Sequence, residues 1–434
     1  MGLALLLSNQ FQNGILSRYP DAAQELTNFA LAGAFYAFLH AALAFVPQMS
    51  NVYGRSRTAV FSCLRFSARA GVGLALPLLV LGWSPLGPWL SQAIFGVGDE
   101  SAAVMQLYFR LLAPVIFFDA VRHALTGLLV QARRTGWVTI LNLTFLAVVL
   151  GLLLLGFRAG RPAVWTVGVA QLGGGFLALI VTWIVWRTTY RYPRAQGPAP
   201  EQRELWRYFW PVMVTSICFA LSRPVIFFFA SRTPEAVVLI AALRVAFDFS
   251  LLFFNPVNQF RHLLVTFGMG DGAAIRRFIL TVIAILSGAL VITAVTPLGE
   301  MVFRRIFGLE GAVLEYASAA LLPLALVPWA IGLRNWFHGI ALIRKTTRRM
   351  GAAAIARIGI ITLCAWFMLA TGWLGPRTGA LLLAFGFLAE AAAMWAITRW
   401  ITRDGGDPDG PAPDGGPRRP PAPAAQSAVA GTER

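Results

Sequence analysis

The chain has 434 residues, 57% of them hydrophobic and 13% charged, with a formal net charge of +17 and a mean hydropathy of +0.67. A soluble domain carries roughly twice that share of charge, so a soluble enzyme core is excluded and an all-α polytopic membrane protein is implied. The positive charge does not mark a nucleic-acid binder, because the arginines gather in short segments between apolar runs, where they orient a protein in a bilayer.

About twelve apolar runs follow one another, most of them long enough to span a bilayer and continuous rather than alternating, which disfavours a β-barrel. The first, residues 2–16, is short and polar for a span, with Asn9, Gln10, Gln12 and Asn13. The N-terminus has no basic segment and no small-residue cleavage site, so no cleavable signal is expected. The second run, 26–49, ends at Pro47-Gln48-Met49-Ser50-Asn51, and Arg55, Arg57, Arg65 and Arg69 come after it. The third is 70–95. The fourth, 103–131, carries Asp119, Arg122 and His123. The fifth is 136–157. In the sixth, 163–186, Gly173-Gly174-Gly175 reads as close helix packing rather than a phosphate loop, since the Lys-Ser/Thr of such a loop is missing.

A connector rich in Arg, Pro and Gln, 187–207, separates these from the seventh run, which holds Leu221-Ser222-Arg223-Pro224-Val225. The eighth, 236–258, carries Arg244 and Asp248, and the ninth is 278–303. The tenth, 313–343, carries Arg334, Asn335 and His338; the eleventh is 351–373; the twelfth, 378–401, carries Glu390. The expected organisation is a six-helix bundle at 1–190, a cytoplasmic linker at 191–207, a second bundle at 208–403 and a disordered cytoplasmic tail at 404–434, whose Gly, Pro, Ala and Asp cannot bury a core. Basic residues crowd the loops after the even-numbered runs (Arg55 and Arg57; Arg133 and Arg134; Arg191, Arg194 and Arg203; Arg276 and Arg277; Lys345, Arg348 and Arg349), which places both termini in the cytoplasm of an inner, plasma membrane. Arg158, Arg161, Arg304 and Arg305 run against that bias. Cys63, Cys218 and Cys364 are too scattered for a disulfide framework or a metal site.

The two halves repeat. Ser84-Pro85-Leu86-Gly87 matches Thr296-Pro297-Leu298-Gly299, and Ile94-Phe95-Gly96 matches Ile306-Phe307-Gly308, both at 297 − 85 = 306 − 94 = 212 positions. At that offset Arg122 falls on Arg334 and Gly127 on Gly339. An even number of spans per half makes this a parallel repeat about the membrane normal, an arrangement of secondary transporters with a site between halves.

A charge inside the hydrocarbon needs a partner or a wet cavity. Arg223 either faces such a cavity or snorkels to the outer surface. Arg122 and Arg334, equivalent in the repeat, are candidates to face a central cavity from opposite sides. Asp119 with Arg122, and Arg244 with Asp248, are spaced to share a helix face, as structural pairs or as functional ones. Glu390 has no local partner; it is either a proton-titrating carboxylate or the mate of an arginine on another helix. His123 and His338 read as packing residues before proton carriers. There is no Gly-x-Ser-x-Gly, no His-Glu-x-x-His and no acid pair in a substantial external loop, so neither an enzyme nor a cofactor is expected.

Several segments resemble the progressive ankylosis family, related to the multidrug and toxic-compound extrusion (MATE) and polysaccharide-flippase (MOP) superfamily. They are Asn13-Gly14-Ile15, Pro47, Ser50-Asn51, Asp119 with Gly127, Trp210-Pro211, Ser222-Arg223-Pro224-Val225, Ser231-Arg232, Arg261, Arg334 with Gly339, and Gly386-Phe387 with Glu390. Arg122 and Arg244 depart from the family pattern, and the first helix is shorter than the family's, as a misplaced start codon would make it. The resemblance implies two six-helix bundles in a V and export of small anions such as pyrophosphate, nucleotides or organic acids; alternating access by a monomer is the expected mode. Arg223, Arg334, Arg122, Arg261, Asn13, Asn51 and Ser222 are then the candidate substrate-binding residues. Glu390, Asp119 and Asp248 are the candidates for coupling to a proton or sodium. A MATE-type cation extruder, a lipid-linked saccharide flippase and a non-transporting scaffold are the alternatives.

Overall fold

The computed structural model describes residues 2–192, 199–260, 263, 272–343 and 347–403. Arg261, Arg344, Lys345 and the segment 404–434 lie outside them, so the expectations placed there are not addressed.

The described residues form an all-α polytopic membrane protein. The first half comprises α1 (Gly2–Leu16), α2 (Ala22–Ala41), α3 (Val46–Tyr53), α4 (Arg57–Trp83), α5 (Leu86–Phe95), α6 (Asp99–Gln131), α7 (Thr135–Arg158) and α8 (Ala163–Thr189). The second comprises α9 (Gln202–Ala230), α10 (Ala236–Phe254), α11 (Gly272–Val295), α12 (Pro297–Met301), α13 (Gly311–Leu324), α14 (Val327–Ile343), α15 (Thr347–Ala370) and α16 (Pro376–Arg403). Among the described residues, 11 spans are long and apolar enough to cross a membrane, with α2–α3 and α13–α14 each forming one of them. The first apolar run is α1, only 15 residues long, about 22 Å against a hydrocarbon core of roughly 30 Å.

The repeat seen in four-residue motifs extends to whole elements. Adding 212 to the bounds of α6 (99 and 131) yields 311 and 343, where α13 starts and α14 ends. Adding it to α7 (135 and 158) yields 347 and 370, the bounds of α15. Gly96 and Gly308, one repeat apart, both adopt left-handed backbone (φ 65° and 72°) after a helix end, a conformation glycine adopts without a Cβ penalty. The halves differ where Pro323 and Pro328 break the helix between α13 and α14. There the Ser287 hydroxyl donates to the Ala325 carbonyl at 2.5 Å, satisfying a group that the broken helix leaves free.

Two expectations shift. The basic segment before the third span is not a loop: Ser56 caps α4 by accepting from the Ala59 amide at 3.2 Å, and Arg65 and Arg69 ride on the helix. Arginine is a good helix former, so the helix runs past the point where hydropathy falls. For the same reason α9 begins at Gln202, inside the segment read as linker.

Glycines set the close approaches. A Cβ on Gly174 would lie 2.4 Å from Val149 Cγ2 and one on Gly175 3.2 Å from Val115 Cγ1, so α8 is pressed against α7 and α6 as the triple-glycine run implied. A Cβ on Gly127 would lie 2.2 Å from the Pro47 carbonyl oxygen. The halves meet along α1, α2, α9 and α10. The Thr27 hydroxyl donates to the Val237 carbonyl at 2.7 Å, and the Ser17 hydroxyl donates to the Phe307 carbonyl.

Candidate functional site

Among the described residues, three clusters of charged residues lie inside the spans. The deepest lies within the second half. Arg334 and His338 are one turn apart on α14, Phe387 and Glu390 one turn apart on α16, and Arg357 sits on α15. Glu390 is 2% exposed, Arg334 4% and Arg357 1%. Arg357 NH1 donates to Glu390 Oε2; Arg334 NH1 lies 3.6 Å from the same oxygen; His338 Nε2 lies 3.3 Å from Oε1. Both guanidiniums stack on the same two rings, Arg334 at 5.4 and 5.2 Å and Arg357 at 5.4 and 5.1 Å from the Phe219 and Phe387 centroids. Such stacking lowers the cost of taking a cation out of water. Arg334 NH2 also donates to Asn258 Oδ1 at 2.8 Å and Asn335 Oδ1 at 3.1 Å. Asn335 is itself held by the Val257 carbonyl at 2.7 Å. A Cβ on Gly386 would lie 3.2 Å from Arg357 Cγ and 2.4 Å from Ile361 Cδ1, so glycine there lets α15 close onto the cluster. Two guanidiniums share one carboxylate, and Arg357 Nε and NH2 are buried without a hydrogen-bond partner among the described residues.

The second cluster joins the halves. On α10, Asp248 accepts from Arg223 NH1 at 2.7 Å and from Asn13 Nδ2 at 3.0 Å, while its backbone carbonyl accepts from Gln10 Nε2 at 2.7 Å. Arg244 Nε donates to Asn13 Oδ1 at 2.9 Å, and the guanidinium sits 4.2 Å from the Phe29 centroid. Its distance to Asp248 is 3.9 Å, so Asn13 is the nearer partner. Here too two arginines face one carboxylate. The Arg223 side chain, 27% exposed, is bonded to Asp248 and to the Phe247 carbonyl at 3.0 Å, and so is held inside the fold between the two alternatives.

The third cluster, in the first half, is balanced. Arg122 on α6 holds Asp119 Oδ1 through Nε at 2.8 Å and NH2 at 2.7 Å. His40 on α2 holds Oδ2 at 2.8 Å and stacks on Tyr36 at 5.2 Å. His40, Asp119 and His123 bring one ligand atom each within 4.8 Å of one another, the spacing of a metal site; both Asp119 oxygens are already engaged by Arg122 and His40. Arg122 packs over Phe145 at 5.3 Å.

Of the predicted site residues, Arg334 and Glu390 thus come together, as do Arg223, Asp248 and Asn13, and Asp119 with Arg122. Ser222 is buried with its hydroxyl unpartnered among the described residues. Asn51 is half-buried near the end of α3, in none of the clusters. Glu390 is not isolated: its partners come from α14 and α15, so the premise that would make it a lone proton-binding group does not hold. Arg122 and Arg334 each pair with a carboxylate of their own half. A cleft of about 670 Å³, lined by residues including Arg18, Asp21, Gln24 and Glu310, opens at the ends of α1 and α2 and is separate from all three clusters.

Sequence reasoning missed Arg357, His40, Asn258 and the rings of Phe219 and Phe387. Arg357 had a signal, a lone arginine inside an apolar run, the same criterion that marks Arg223. His40, a histidine inside the second apolar run, carried the same signal as His123; the Phe219 and Phe387 rings had none, since Phe is ordinary in spans.

No family model matches the chain, and no curated protein does. Solved structures do. A multidrug-resistance MATE family transporter of the MOP superfamily, in an inward-facing conformation, superposes with a TM-score of 0.69 at 14% identity, covering 93% of this chain and 96% of its own. The eukaryotic MATE transporter AtDTX14 gives 0.66 at 14% over 91% and 93%. The lipid II flippase MurJ, in an inward closed conformation, gives 0.60 at 14% over 91% and 87%. The chain has their fold. The narrower resemblance to the progressive ankylosis family rests on its sequence motifs.

Proposed function

We propose that the chain is a secondary transporter that exports small polyanions by alternating access between its two halves. One observation carries this reading: among the described residues two guanidiniums face a single carboxylate twice, Arg334 and Arg357 on Glu390 within the second half, and the partly buried Arg223 and Arg244 on Asp248 where the halves join. An uncompensated cation inside a span is costly, and a carboxylate or phosphate ligand completes the balance through bidentate bonds that the guanidinium fork is shaped to make. Glu390 is then a resident counter-ion that the substrate displaces from Arg357. A cation extruder on this fold calls for the opposite excess. The motifs shared with the progressive ankylosis family agree with an anionic cargo.

Thermal stabilisation and proteoliposome uptake with citrate, pyrophosphate and ATP, set against an organic cation, test this. The wild type is expected to bind the anions, and Arg334→Gln and Arg357→Gln each to weaken binding by about 1.5–3 kcal/mol, the range for a hydrogen bond to a charged group. Arg→Lys restores part of it, because an ammonium does not reproduce the fork. A wild type that moves the organic cation and ignores the anions, or well-folded Gln variants with unchanged anion affinity, would sink the reading. Competition by a lipid-linked saccharide pyrophosphate alone would favour the flippase alternative.

A further inference from the structure

One exposed stripe runs the length of α4: Arg57, Phe61, Arg65, Arg69, Val72, Leu76, Val80 and Trp83, at steps of three or four residues. Its first half is basic and its second half apolar. α4 is a peripheral span with only 28% of its apolar window buried, so this stripe faces the lipid. Arg69 to Trp83 covers about 21 Å along the helix, which falls short of a hydrocarbon core of roughly 30 Å. Arg69 and Arg65 therefore sit at the acyl boundary, where a bare guanidinium is costly.

Two features set what they meet. Side chains on a helix lean toward its N-terminus, here toward Arg57, so both guanidiniums reach for the headgroup layer. On the neighbouring α9, Trp206 lies 6.3 Å from Phe66 of α4, and Trp206, Arg207 and Trp210 border a recess of about 440 Å³ that neither arginine lines. Trp206 and Trp210 are 45% and 51% exposed, as residues of an aromatic belt at headgroup level are. The repeat partner α11 lacks this arrangement: Arg277 stands at the place of Arg65 (65 + 212) in the second turn of the helix, but Thr281 stands at that of Arg69 (69 + 212).

We infer that Arg65 and Arg69, one turn apart on the exposed stripe of α4, form a binding site for the phosphate of an anionic lipid headgroup, in the leaflet that holds the Arg57 end of α4. The site is independent of the transported substrate.

Native mass spectrometry of the purified full-length protein from mixed micelles of phosphatidylglycerol and phosphatidylcholine tests it. The wild type is expected to retain phosphatidylglycerol in preference. Arg65→Gln and Arg69→Gln each lower that retention about fivefold and the pair about 25-fold, from the attraction typical of one basic residue near an anionic surface. Arg65→Lys with Arg69→Lys keeps most of it, which also guards against a folding defect in the Gln variants. Arg276→Gln with Arg277→Gln leaves it unchanged, and excess inorganic phosphate does not strip the lipid. Equal retention by the Arg65/Arg69 Gln variants, an equal loss in the Arg276/Arg277 control, or displacement by inorganic phosphate overturns the assignment.

Discussion

Arg122 and Arg334 occupy the same place in the two halves, yet their surroundings are opposite. Arg122 has its carboxylate one turn earlier on its own helix, at Asp119, and a ring beneath it at Phe145. At the matching positions the second half has Ile331 (119 + 212) and Arg357 (145 + 212), while Glu390 replaces Ala178 (178 + 212). The exchange converts a balanced pair into one carboxylate between two guanidiniums. A balanced buried pair holds a helix bundle in register and needs nothing else. An unbalanced one is tolerated only with a further anion or with water at hand. On the function proposed above, the balanced cluster is the structural one and the unbalanced cluster is the one that takes the anion.

Removing Glu390 should have the largest effect. Glu390→Gln removes the carboxylate that Arg357 bonds and Arg334 approaches, and should destabilise the fold by about 3–5 kcal/mol, the usual result of breaking a buried pair from one side. A thermal-unfolding series reads this, and Glu390→Gln combined with Arg357→Phe should recover part of the loss, since Arg334 still lacks its carboxylate. A Glu390→Gln protein as stable as the wild type would show that the two guanidiniums are compensated from elsewhere.

Next comes Arg357→Phe, which gives the second half the residue that the first half uses at this position. Glu390 keeps Arg334 and His338 as partners, so the fold should survive while anion binding weakens by about 1.5–3 kcal/mol. Isothermal titration of the purified variant with pyrophosphate measures it; unchanged affinity would mean that the charge excess has no part in binding.

The smallest change is expected from the balanced cluster. Replacing Arg122 and Asp119 together, by Leu and Leu, removes a neutral pair and should shift anion affinity by less than about 1 kcal/mol, since replacement of both partners of a buried pair by apolar groups is often neutral. A loss there as large as in Arg357→Phe would erase the distinction between the halves.

Much of this architecture is legible in the chain itself. Hydropathy and run length are local properties, so the spans, the repeat offset and the cluster of charges along α6 could be read directly. Asp119 and Arg122 pair because three residues on a helix place them on one face. The glycine run in α8 was legible as well, since only a missing Cβ permits that approach. Helix ends were less so: Arg65 and Arg69 lower hydropathy without stopping a helix, and that alone hid the basic stripe of α4. What the tertiary structure decided is who neutralises whom. Glu390 is 33 residues from Arg357, and Asp248 is 235 from Asn13. No spacing rule reaches across such separations. The charge of a buried cluster is a sum over helices brought together by packing, and it exists only once they are packed.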